Sequence, residues 1–133
     1  MSDATKSKGL EGVVIGGSSV SLVEGTEGRL SYRGYKIQDL AANSSFEEVL
    51  YLLLNGELPN GKQLNEFKEQ IAGHRDLPKE VIEMLRLLPK STHPMDMLRT
   101  GVSMLSAFDK DLDDNSHDSN IRKSIKLIAR RNG

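Results

Sequence analysis

Apolar residues change their period once along the chain, at about Tyr35. Before that point they alternate. Val20, Leu22 and Val23 precede a turn-forming cluster, Glu24-Gly25-Thr26-Glu27-Gly28, and Leu30, Tyr32 and Tyr35 follow it. Alternation around a glycine-containing loop predicts a small β-hairpin over 18–35, broken by Gly34. After that point apolar residues recur every three or four positions, which predicts amphipathic helices.

The first helix is a short one over 37–42. The next spans Phe46 to Asn55, with Val49, Leu50, Leu53 and Leu54 on its apolar face. Leu52 widens that face and predicts burial on more than one side. Ser45 and Glu48 have the spacing of a capping box, and Gly56 is a natural stop. Asn60 is placed to cap a helix from Lys62 to Ala72, where Leu64, Phe67 and Ile71 point inward and Gly73 ends the run. Pro78 opens a further helix to Leu88, with Val81, Met84, Leu85 and Leu88 inward and Pro89 beyond it.

Thr92 to Phe108 is the most distinctive stretch, THPMDMLRTGVSMLSAF. Pro94 suits a first helical position, Thr92 or His93 is the cap, and Asp96 lies where a helix favours negative charge. Met97, Leu98, Gly101, Met104, Leu105 and Phe108 share one face, and Gly101 there is expected to admit another backbone closely. The acidic run Asp109 to Asn120 reads as an exposed helix-helix loop. A last helix is predicted from Asn120 to Ala129, capped by Ser119. About six helices behind one hairpin make the fold class mainly α.

Composition narrows the setting. The chain has 133 residues, enough for one domain with a core. Its formal net charge of −1 gives no reason to expect nucleic acid or an acidic membrane as partner. It has no cysteine, so disulfides, zinc thiolates and a cysteine nucleophile are out. No run nears the roughly 18 consecutive apolar residues of a membrane span. Met1–Lys8 reads as a disordered tail without the apolar centre of a signal peptide. The expected location is cytoplasmic.

Candidate chemistry is thin. Val13–Ile15, within glycine-rich Gly9–Gly17, reads as a short strand, because a phosphate loop needs a spacing and a Lys-Ser/Thr ending that are missing. The acidic run lacks the sixth-position glycine and terminal Glu of a calcium loop. His74, His93 and His117 lack metal-ligand spacing. His93 could donate to an anion at the helix start or serve as the cap, and the cap is favoured. Arg99 could bind a carboxylate, although a pair on the helix surface is commoner. Arg33 between Tyr32 and Tyr35 is read as solvated or paired, with the tyrosines packing.

The run HPMDMLRTGVSML resembles the HPMDxLRT segment of the citrate synthase family, including its 2-methylcitrate synthase branch. GLEGVVIGGSSVSLVEG, GRLSYRGYKIQDLA and FEEVLYLLLNGELPNGKQLNEF are similar to successive segments of that family, in the same order, so the likeness runs from about Gly9 to Ala129. It implies that residues 9–133 form the N-terminal part of the large helical domain, truncated at its C-terminus. It also implies an enzyme joining acetyl-CoA to oxaloacetate, or propionyl-CoA in the methylcitrate branch, working as a homodimer through large-domain helices. No cofactor is implied beyond the acyl-CoA substrate.

In that family an Asp removes a methyl proton, one His stabilises the enol, another activates the ketone, and arginines clamp the carboxylates. Those residues lie in segments after the point where this chain stops, among them a Gly-Pro-Leu-His-Gly-Gly run. No position here inherits a catalytic, substrate-binding or metal role. The chain alone is expected to be inactive, with helices 46–55 and 94–108 exposing apolar faces that favour self-association. The last residues, Arg131-Asn132-Gly133, depart from the family's Lys-Leu-Pro continuation. A second reading, of another class, is a non-catalytic helical module that pairs with synthase subunits. A third is an unrelated anion-binding protein using the helix start at His93 and Pro94.

Overall fold

The computed structural model of the chain describes residues 16–131. The expected tail Met1–Lys8, the strand Val13–Ile15 and the closing Asn132-Gly133 lie outside the described residues. The chain divides into two compact units, one ending at Ser45 and the other starting at Phe46.

The first unit is a three-stranded antiparallel sheet followed by a helix. Strands β1 (Ser21–Glu24) and β2 (Arg29–Tyr32) pair with Leu22 opposite Ser31 and Val23 opposite Leu30. Arg29 reaches back to Glu24 at 3.0 Å across the turn. The sheet does not stop at Gly34, as the hairpin reading expected. Arg33 and Gly34 both have positive φ, 48° and 89°, the conformation of a two-residue turn that matches strand twist. That turn folds the chain back into β3 (Tyr35–Lys36), with Tyr35 opposite Tyr32. Glycine at the second turn position removes the steric objection there, so the residue read as a breaker is what makes the third strand possible. Helix α1 (Ile37–Asn43) follows at once and buries Leu40.

The second unit is all helical. Helix α2 (Phe46–Asn55) buries both Leu50 and Leu52, in keeping with its wide apolar face. Gly56, at φ 93°, closes it by donating its N–H to the Leu52 carbonyl at 2.8 Å. Helix α3 (Gly61–Ala72) starts with a reciprocal cap: the Asn60 side chain accepts from the Gln63 N–H at 3.0 Å, and Gln63 Oε1 accepts from the Asn60 N–H at 2.9 Å. Helix α4 (Lys79–Leu87) begins one residue after Pro78, whose carbonyl accepts from Val81 and Ile82.

Helix α5 (Pro94–Leu105) tightens into a single 3₁₀ turn, Ser106–Phe108. Helix α6 (His117–Arg131) starts three residues earlier than the apolar pattern indicated. Leu50, Phe67, Ile71, Ile125 and Ala129 form one buried cluster joining α2, α3 and α6. Tyr51 meets Phe67 edge to face there, ring centres 5.3 Å apart. Each large apolar side chain buried here contributes about 1.5–3 kcal/mol. Helix α4 also packs against α5, where Val81 and Leu105 are buried.

Candidate functional site

The start of α5 is organised by His93. Pro94 fixes a helical φ at the first position and brings no N–H that needs a partner. His93 stays extended and turns its ring toward the helix, so that Nδ1 accepts from the Met95 N–H at 3.2 Å. The Thr92 alternative falls away, and His93 is the cap. Asp96, in the first turn, is held by the Arg99 guanidinium at 2.9 Å. Arg99 is thus engaged in a pair on the surface of its own helix. Both groups stay well exposed, so that pair is worth less than about 1 kcal/mol.

Behind this start, α4, α5 and α6 enclose an apolar groove of about 150 Å³. Val81 and Leu85 form one wall, Met97, Gly101 and Leu105 the second, and Leu127 the third. Among the described residues its one ionisable lining residue is Arg130, which donates Nε to the Asp76 carbonyl at 3.2 Å. Proton transfer needs a titrating group beside the reacting atom, and this groove offers none. Gly101 faces Leu85 side-chain carbons, and a Cβ placed there would meet Cδ2 at 3.7 Å. The close neighbour is therefore a side chain, and not the backbone expected from the glycine.

The acidic connection between α5 and α6 is held by basic residues of α6. Asp109 accepts from the Asp111 N–H at 3.1 Å and from Lys126 Nζ at 3.3 Å. Arg122 approaches Asp111 at 3.5 Å. Lys123 Nζ donates to the carbonyls of Asp114 at 2.6 Å and Leu112 at 3.4 Å. The Asp111 N–H holds the Asp109 carboxyl below its usual range; burial opposes it, and the Lys126 ammonium adds to the lowering. Asp114 is lowered too, first by the Ser116 N–H and then by the Ser116 hydroxyl.

The connection ends earlier than predicted, because Ser116 caps α6: its hydroxyl oxygen accepts from the Ser119 N–H at 3.3 Å. Ser119, expected to be the cap, lies fully buried in the first turn, its hydroxyl without a hydrogen-bond partner among the described residues. Among the described residues no three His, Cys, Asp or Glu side chains are grouped to hold a metal. The three histidines stand on separate elements. His74 follows the end of α3 and donates its N–H to Ile71, His93 starts α5, and His117 is the first residue of α6. Arg33 is paired, its guanidinium donating to the Ser19 hydroxyl at 3.1 Å. None of the described helices is long and apolar enough to cross a membrane.

The family described as "Citrate synthase, C-terminal domain" matches residues 9–132. A citrate synthase of Haloferax volcanii is 42% identical over 92% of this chain and 34% of its own length. The 2-methylcitrate synthase 1 of Corynebacterium glutamicum is 46% identical over 84% of this chain and 29% of its own. Among solved structures, citrate synthase of Thermoplasma acidophilum, in a ternary complex with carboxymethyl coenzyme A and oxaloacetate, superposes with a TM-score of 0.86. That match has 30% identity and covers 94% of this chain and 33% of the other. This chain spans about a third of the length of the curated relatives it matches.

Proposed function

The chain belongs to the citrate synthase family, and from that we propose that it is the N-terminal, scaffold portion of an enzyme condensing acetyl-CoA with oxaloacetate. The products are citrate and free CoA, and the setting is the tricarboxylic acid cycle in the cytoplasm. The observation that carries this reading is the superposition of 94% of the chain on about a third of a citrate synthase. The chemistry asks for a carboxylate to remove a methyl proton, donors to hold the enol oxygen, and cations to hold two carboxylates.

This portion holds none of those groups in our reading. Three features support that. His93 spends its acceptor nitrogen on α5, Arg99 is paired with Asp96, and the groove has apolar walls. The portion's own task is to present packed helices, and the complete enzyme is a homodimer built through them. The exposed apolar residues of α5, Met95, Leu98 and Val102, support that partner over nucleic acid or membrane.

Propionyl-CoA, giving 2-methylcitrate, is the second reading. It is favoured by the 46% identity to a 2-methylcitrate synthase.

The test combines two measurements on the native gene product. Its intact mass is expected to exceed that of 133 residues, and thiol release with oxaloacetate is expected with acetyl-CoA, propionyl-CoA or both. The ratio of the two kcat/KM values assigns the branch. A product of 133 residues that releases no thiol and copurifies with a synthase subunit would replace this reading with a non-catalytic pairing module.

A further inference from the structure

His93 satisfies the whole first turn of α5 by itself. Pro94 has no N–H to satisfy. The N–H groups of Asp96 and Met97 both donate to the His93 carbonyl oxygen, at 2.9 and 3.1 Å. One donor is left, the Met95 N–H, and its acceptor is His93 Nδ1. An imidazole nitrogen accepts only while it carries no proton, so the ring must be the neutral form with hydrogen on Nε2. Asparagine or serine in the same place would keep its acceptor oxygen as the solution is acidified. Histidine does not.

We propose that His93 is a proton-sensitive cap: a second proton on its ring takes away the acceptor of the Met95 N–H and loosens the first turn of α5. Two effects act in the same direction. The hydrogen bond is lost, and a positive ring is set against the positive end of the helix dipole. The opposing group is Asp96, whose carboxylate is already held by Arg99.

Other charged groups nearby in the chain or on the packed helix α4 are Lys90, Lys79, Glu80, Glu83 and Arg86. Among the described residues Glu83 pairs with Lys79, and His93 makes no ion pair. The turn that loosens carries Met97, one end of the apolar groove. Acid therefore acts on that end of the groove and leaves the Leu105 end, about two helical turns away, in place.

The test uses the purified native-length protein. With ¹⁵N-labelled histidine, the neutral His93 ring should show the Nε2–H tautomer. Hydrogen exchange of the Met95 amide, corrected for its intrinsic pH dependence, should lose about fivefold protection over the pH range in which the ring ¹⁵N shifts report a second proton, as expected for a lost cap. His93→Asn should keep its protection across that range, and His93→Ala should lack it throughout. An Nδ1–H tautomer, or an equal loss of protection in His93→Asn, overturns the proposal. Both outcomes are readable even where His93→Ala fails to fold.

Discussion

Lys126 and Asp109 meet at 3.3 Å across the connection between α5 and α6, with their side chains only 27% and 16% exposed. Asp109 is held below the ordinary carboxyl value of 3.8, first by the Asp111 N–H and further by Lys126. A carboxyl depressed by folding adds stability that is fully present above its unfolded pKa. That stability is lost as pH falls through the lower, folded value. Asp109→Asn keeps an oxygen for the Asp111 N–H and removes the charge. We expect it to cost about 1 kcal/mol at neutral pH and to flatten the loss of stability below about pH 4. Urea unfolding at several pH values checks both, and an unchanged acid limb would assign that limb to other carboxyls.

Gly101→Ala should stabilise. The added methyl would sit 3.7 Å from Leu85 Cδ2, ordinary contact, in the middle of a helix. Replacing a mid-helix glycine by alanine gains about 0.5–1 kcal/mol. Gly101→Leu overfills the seam between α4 and α5 and should cost about 1–3 kcal/mol. A Tm series of the three proteins gives the order Ala, Gly, Leu. A fall with alanine would mean that something closer than Leu85 rests on Gly101 in the assembled protein.

Asn60→Ala removes one half of the reciprocal cap on α3 and leaves the Gln63 amide without its acceptor. The expected cost is about 1 kcal/mol, with Asn60→Asp close to neutral. Chemical denaturation of the pair measures it. Because α3 carries Phe67 and Ile71 into the main cluster, the loss should appear in global unfolding, beyond local fraying.

Met95, Leu98 and Val102 are 62%, 39% and 42% exposed along α5. Spacings of three and four put them on one stripe. If the helices of this portion contribute to the homodimer, Leu98→Glu with Val102→Glu should shift the protein toward monomer. The same pair should raise the solubility of the isolated 133-residue chain. Sedimentation velocity reads the first effect, and an unaltered dimer would place the seam on another face.

Much of this fold can be read from residue patterns, and the exceptions have physical causes. Helix α2 has the predicted bounds, because apolar periodicity begins at Phe46 and Gly56 stops it sharply. Helix α6 starts earlier than predicted because its first turn, His117 to Asn120, is polar and shows no period. Ser116 and Ser119 are equally good caps by residue type, and only the fold decides between them. The third strand escapes notice because two residues cannot show alternation. At the candidate site, the helix start at His93 follows from Pro94 and its neighbours. The grip of Lys123 and Lys126 on the preceding loop is a matter of tertiary placement, and no spacing rule announces it.

That grip has an electrical consequence. Asp109, Asp111, Asp113 and Asp114 place four carboxylates within one short connection. The ammonium group of Lys123 lies against the carbonyls of Asp114 and Leu112, while Arg122 pairs with Asp111 and Lys126 with Asp109. The protein thus carries its own fixed counter-ions, supplied by one face of α6. These internal contacts lead us to expect that millimolar calcium or magnesium leaves the amide exchange of the connection unchanged.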